Sequence, residues 1–254
     1  MTSSMTMAGP AGLAAEYRRL VELNRSRDRF LRTVSHELRT PLTAILSCAE
    51  LLSDEQTGAL STDQREFVDI VGRSAGRLLR LVEDLLELAG LESGRLVPAL
   101  ELLDLPDVVA TAAQAHQDAL AAAGLTFTLD VESGPPVRVD ATRIVRVLDG
   151  LLTNAEQHTP APGLITVAAR AVGDRWQVTV SDSGAGIPAV DQRTVFDAFT
   201  RAGRVQDGQP GSGLGLAIGR TVAELHGGTL TLVSTEGAGT TVTLTLPYAY
   251  GEPA

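Results

Sequence analysis

Apolar residues step by three and four along two stretches of the first half of the chain. Leu31, Val34, Leu38, Leu42, Ile45, Ala49 and Leu52 form the first series, and Phe67, Ile70, Ser74, Leu78, Leu81, Leu85 and Leu88 the second. A spacing near 3.5 residues puts one side chain per turn on a common seam, so each series predicts a long helix with a bundle-type face. The stretch 53–62 between them carries Gly58 and polar residues, and Ser61 stands where an N-cap belongs. The pattern predicts a helical hairpin. Two helices leave a long apolar seam uncovered, and pairing two hairpins into a four-helix bundle covers it, so a homodimer is expected. Packing of the hairpin against the chain's own second half is the alternative.

The stretch from Gly90 to Pro98 breaks the second helix and predicts a domain boundary. Residues 1–24 are set aside as a lead-in segment, helical or extraneous. The expected domains are 25–95 and 98–248. After the boundary the pattern alternates between periods. Helices are predicted for Pro106–Ala123, Thr142–His158 and about Leu214–His226. Strands are predicted for Thr126–Val131, Leu164–Val172 and Arg175–Asp182, the last two joined at Gly173-Asp174. A final hairpin is predicted from Thr229–Val233 and Thr240–Leu246. Helices with a mixed sheet make an α/β sandwich. The stretch 183–212 is too long for a plain connection and is either disordered or a functional lid.

Composition narrows the function. The chain has 254 residues with a net charge of −10, which disfavours a nucleic-acid-coating protein. No apolar run approaches the ~18–20 residues needed to cross a bilayer. The N-terminus lacks both the charged start and the apolar core of a secretory signal. The single cysteine, Cys48, rules out an intrachain disulfide and fits a reducing compartment. A cytoplasmic location is expected, with membrane anchoring elsewhere if the chain is a piece of a longer protein. All 21 basic residues are arginine. A lysine-bearing phosphate loop is therefore excluded, and any phosphate clamp must use arginine or backbone amides.

Four places carry candidate chemistry. His36 lies between Val34 and Leu38, off the apolar seam, where imidazole can accept a phosphoryl group. Glu37 can hold the proton of the other ring nitrogen, and Thr40 lies one turn on. Pro41 removes a helical hydrogen bond and predicts a bend just past the histidine. Asp182 ends a strand whose face carries Trp176, Val178 and Val180, followed by Ser183-Gly184-Ala185-Gly186. An exocyclic adenine amine would pair with its carboxylate, although a strand-ending aspartate in a glycine turn reads the same way. The run Gly211-Ser212-Gly213-Leu214-Gly215-Leu216 opens a helix and suits phosphate oxygens. Asn154 offers a neutral oxygen of the kind Mg²⁺ accepts.

Taken together these residues resemble the catalytic core of sensor histidine kinases, over about residues 25 to 247. The phosphoacceptor box is Ser35-His36-Glu37-Leu38-Arg39-Thr40-Pro41-Leu42, and Leu88-Ala89-Gly90-Leu91-Glu92-Ser93-Gly94 is similar to the family's hairpin exit. The nucleotide boxes are Leu151-Leu152-Thr153-Asn154-Ala155, Asp182-Ser183-Gly184-Ala185-Gly186-Ile187-Pro188, Phe196-Asp197-Ala198-Phe199 with Arg201, and Gly211–Leu216; Gly239-Thr240 resembles the last glycine motif. The resemblance implies a dimeric hairpin domain followed by a Bergerat-type ATP-binding domain. It implies ATP and Mg²⁺ as cofactors, a response-regulator receiver domain as partner, and phosphatase activity toward it. His36 takes the γ-phosphate, Glu37 acts as base and Thr40 positions a water. Asp182 binds adenine, Asn154 binds Mg²⁺, and 183–212 is the lid. Gly184, Gly186, Ile187, Arg201, Gly211, Gly213, Leu214, Gly215 and Thr240 complete the nucleotide site. The chain departs from the family pattern in two places: Gly150 stands for an asparagine, and Gln157-His158 for a lysine followed by an aromatic residue. These departures keep open a degenerate member acting as phosphatase or dimerising scaffold. An ATPase or switch protein without phosphohistidine is disfavoured by the intact phosphoacceptor box.

Overall fold

The computed structural model describes residues 33–34, 37–54, 58–93, 96–200 and 212–249. Two compact units divide the chain, Met1–Ser93 and Gly94–Ala254.

In the first unit, helix α1 covers residues 37–53 and helix α2 covers Thr62–Glu92. Ser61 starts α2 with a reciprocal capping box. Its Oγ accepts the Gln64 N–H at 3.2 Å, and Gln64 Oε1 accepts the Ser61 N–H at 2.9 Å. The helix runs past the expected break at Gly90 and ends at Ser93, whose N–H donates to the Ala89 carbonyl. A lone glycine weakens a helix by only ~1 kcal/mol, which one further buried turn carrying Leu91 outweighs. The helices pack through Leu42, Ala49, Ala75 and Val82, and a Cβ on Gly72 would touch the Ala49 Cβ at 3.6 Å. Arg39 and Glu83 pair across them at 3.7 Å. The predicted seam divides here. Leu42, Ala49 and Leu88 are buried, while Leu38, Ile45, Leu52, Phe67, Ile70 and Leu78 stay exposed, Phe67 at 66%.

The second unit is a mixed five-stranded sheet with three helices. Its elements are β1 (Glu101–Leu103), α3 (Leu105–Ala122), β2 (Leu125–Val131), β3 (Val137–Val139), α4 (Ala141–His158), β4 (Gly163–Val172), β5 (Arg175–Asp182), α5 (Gly215–Leu225), β6 (Thr229–Thr235) and β7 (Gly239–Pro247). The sheet order is β2-β4-β5-β7-β6, with β2 parallel to β4 and the other pairs antiparallel. Strands alternate, with Trp176, Val178 and Val180 buried on the face of β5 that leads to Asp182. Trp176, Ile165, Leu244 and Leu246 from the sheet meet Leu105, Leu120, Ile144, Leu148 and Leu152 from α3 and α4, all fully buried. The short antiparallel pair β1–β3 was not predicted. Three-residue strands are too short to display a period, although Val137 and Val139 are both buried.

Candidate functional site

The site forms where β5 ends against the last turn of α4. Asp182 is half-buried there. Its Oδ1 accepts the Gly184 N–H at 2.8 Å and the Thr240 N–H at 3.2 Å, while Oδ2 has no hydrogen bond among the described residues. Burial raises the carboxyl pKa above its ordinary 3.8, opposed by the two backbone donors and the nearby His158. One oxygen is thus fixed by the fold and the other is left to accept from a ligand.

Glycines make the cradle around it. A Cβ on Gly184 would stand 2.1 Å from the His158 carbonyl oxygen, and one on Gly239 would stand 1.9 Å from the Asp182 carbonyl oxygen. The adjacent Ala185 N–H donates to that His158 carbonyl at 3.2 Å. Gly186 has φ +66, and its Cβ would meet the Thr235 carbonyl oxygen at 2.0 Å. Ile187 donates its N–H to Ser234 Oγ at 2.8 Å, and Ser234 Oγ also lies 2.9 Å from Thr240 Oγ1. Gln192 closes the ring by donating to the carbonyls of Ile187 and Ser234 at 2.7 and 2.9 Å. The structure therefore brings Asp182, Gly184, Gly186, Ile187 and Thr240 into one hydrogen-bonded cluster. Ser234 and Gln192 were not predicted. Ser234 had a legible signal, a hydroxyl on the strand face that carries Leu230 and Leu232.

Asn154 lies on α4 one turn before His158, part-exposed, with no side-chain hydrogen bond among the described residues. Gly150, one turn earlier, has nothing within 4 Å of where a Cβ would stand. At the other side, the start of α5 is seated by Leu214, which is fully buried and receives the Ile218 N–H at 2.9 Å. Gly213 has φ +68, and its carbonyl accepts the Phe199 N–H at 2.9 Å. This bond closes the base of the stretch 200–212. Phe199 itself takes φ +64, an uncommon conformation for an aromatic residue, and Arg220 of α5 stacks its guanidinium 5.8 Å from the Phe196 ring centroid. Gly215 is open.

Glu37 and Thr40 are both exposed on α1, in the hairpin unit. His36, Arg201 and Gly211 lie outside the described residues. Among the described residues no group of three or more His, Cys, Asp or Glu forms a metal cluster, and no helix is long and apolar enough to cross a membrane.

Comparison with known proteins follows the same division. The family model described as His Kinase A (phospho-acceptor) domain matches residues 26–94, and that described as Histidine kinase-, DNA gyrase B-, and HSP90-like ATPase matches residues 139–250. The non-motile and phage-resistance protein of Caulobacter vibrioides is 34% identical over 90% of this chain and 28% of its own length. The sensor-like histidine kinase SenX3 of Mycobacterium tuberculosis is 35% identical over 86% of this chain and 53% of its own. The crystal structure of full-length ShkA in complex with AMPPNP superposes with a TM-score of 0.71 at 29% identity, over 88% of this chain and 46% of that one. The chain thus spans roughly a quarter to a half of the length of the curated relatives it matches.

Proposed function

Since the chain belongs to the sensor histidine kinase family, as its phosphoacceptor and ATP-binding core, we propose that it transfers the γ-phosphoryl group of MgATP to its own His36. The phosphoryl group then passes to an aspartate of a response-regulator receiver domain. The observation that carries this reading is the state of Asp182. Its Oδ1 is held by two backbone N–H groups, its Oδ2 is open, and glycines let the surrounding backbone pack closely around it. A heterocycle with an exocyclic amine satisfies that oxygen.

The phosphates then run along α4 toward Asn154 and the start of α5. Asn154 fits Mg²⁺ as a neutral oxygen donor with no competing hydrogen bond among the described residues. Bound there, Mg²⁺ would neutralise charge on the transferred group. On the hairpin, Glu37 takes the proton of the acceptor imidazole, and Thr40 serves the later dephosphorylation of the partner by orienting a water. The exposed face carrying Leu38, Ile45, Leu52, Phe67, Ile70 and Leu78 supports a homodimer, because a face of this extent is unfavourable in water. The need for ATP places the reaction in the cytoplasm.

The test is incubation with γ-labelled ATP followed by acid and base treatment. Label that is acid-labile and base-stable is the expected result. ATP binding without such label would instead assign the chain to phosphatase or scaffold function.

A further inference from the structure

Helices α4 and α5 run side by side in opposite directions. The Cβ position of Gly219 on α5 lies 3.5 Å from Val147 Cγ1 on α4, and the end of α5 meets the start of α4. That meeting point is a buried polar cluster outside the nucleotide cradle. His226, the C-cap of α5, is 7% exposed. Its Nδ1 lies 2.7 Å from the Val222 carbonyl oxygen, where it can only donate, so Nε2 of the neutral ring is the acceptor. Nε2 receives the main-chain N–H of Asp140 at 3.0 Å.

Asp140 is in turn the N-cap of α4. Its Oδ1 accepts the Arg143 N–H at 3.1 Å. Its Oδ2 accepts from Arg143 Nε at 3.1 Å and from the Ala99 N–H at 3.0 Å. Burial pushes this carboxyl up, but the Ala99 and Arg143 donors outweigh it and hold it below its ordinary value. One imidazole therefore ties the last turn of α5 to the first residue of α4, and that residue's carboxylate holds the segment leading into the domain.

The pairs Asp140–His226 and Val147–Gly219 share one antiparallel register. Continued along both helices, that register sets Gly215, the first residue of α5, level with Leu151 of α4, about one turn before Asn154. An 18-residue helix such as α4 is a stiff rod of roughly 27 Å, so a shift at one end is carried to the other. We propose that His226 is a positioning residue for the nucleotide site: by fixing the far ends of α4 and α5, it sets how Asn154 faces the glycine turn at their near ends. The proposal rests on the reading above that these two places hold the phosphates and the metal. Asp182 sits on the sheet and is fixed by its own backbone donors, so the adenine end, which meets α4 only at the His158 carbonyl, depends on the brace less than the phosphate end does.

The unequal dependence of the two ends supplies the test, made on the full chain. His226→Ala should weaken MgATP binding by about fivefold or more by calorimetry. It should leave adenosine binding, followed by NMR titration, within about twofold of the unaltered chain. Gly219→Ala keeps the imidazole but pushes α5 off the sheet, since its Cβ would stand 3.1 Å from Leu230 Cδ2 of β6 while meeting Val147 Cγ1 of α4 at an ordinary 3.5 Å. The same separation of MgATP from adenosine is expected for it, and it serves if His226→Ala does not fold. MgATP and adenosine affinities that both stay unchanged, or both fall by one factor, would overturn the proposal and leave His226 a core histidine. Asp182→Asn distinguishes the underlying reading. If adenosine binding survives that substitution undiminished, the pocket assignment fails and the proposal with it.

Discussion

The two units of this chain are stabilised in different ways. In the α/β unit, Trp176, Leu105, Ile144 and Leu244 are below 2% exposed, and glycines and backbone donors hold the cradle in close backbone contact. In the hairpin, the buried residues Leu42, Ala49, Ala75, Val82, Leu88 and Leu91 keep 3–8% exposure, and a row of large apolar side chains faces outward. The α/β unit closes its own core, whereas the hairpin leaves much of its apolar face uncovered. The contrast suits a reaction in which a rigid pocket presents a phosphoryl group to an acceptor on a separately held helix.

The largest expected effect tests whether acceptor and pocket are separate. His36→Gln should abolish the acid-labile label while leaving nucleotide affinity nearly unchanged. Label that persists would move the acceptor to His116, His158 or His226.

The next effect concerns the hairpin alone. Phe67→Asp places a charge on the exposed seam of both copies. Two buried phenylalanines contribute about 3–6 kcal/mol together, so the dimer should weaken by roughly a hundredfold or more. Sedimentation would report the dissociation, and the emission of Trp176, the only tryptophan and wholly within the α/β unit, should not move. A change in that emission would break the comparison.

Asp182→Asn sharpens it from the other side. An amide keeps the oxygen that accepts from Gly184 and Thr240 but turns a donor toward the adenine amine, so ATP affinity should fall about ten- to a hundredfold by calorimetry. The fold should not suffer. Because burial raises the Asp182 carboxyl, the folded chain binds this proton more tightly than the unfolded one. Ionisation therefore costs stability as pH rises from about 3.8 through the raised value. The ligand-free variant should melt no lower than the parent at neutral pH. In the parent, ATP affinity should fall as pH drops through the same window, because Oδ2 is the oxygen left to take the proton.

A smaller effect is expected from the altered phosphate side. Gln157 is neutral, and a charged donor makes a hydrogen bond about twice as strong. Arg201→Ala should slow autophosphorylation about tenfold, and Gln157→Lys should partly rescue it; strict additivity in the double variant would show that the two do not share a phosphate. The smallest change is expected from Thr40→Ala, which should spare autophosphorylation and slow only dephosphorylation of the partner. Parallel losses in both assays would make Thr40 structural.

Much of this organisation was written in local pattern. The periods of α4, β4 and β5 gave their extents to within one residue, because each is long enough to repeat its own spacing. Ser61 announced its cap, whereas Asp182, ending an apolar strand face, read equally well as a strand-ending aspartate in a glycine turn. The pair β1–β3 was illegible because three residues make no period, and Gly90 misled because a buried extra turn outweighs a weak helix former. Ser234 was half-legible, a hydroxyl on an apolar face with no sign of what it would bind.

The sequence by itself determined which residue types are present, their order, and the two periodicities, hence a helical hairpin followed by helices on a mixed sheet. Only the tertiary structure decided which residues of α2 turn inward, with Ala75 and Val82, outside the predicted seam, packing while Phe67 remains exposed. It alone decided that one oxygen of Asp182 is consumed by the fold and the other left open. It alone joined His226 to Asp140 across 86 positions. The physical reason is common to all three. Spacing along the chain fixes the face on which a side chain stands, but hydrogen-bond partners and burial depend on which faces meet, and that is settled by packing between elements distant in sequence.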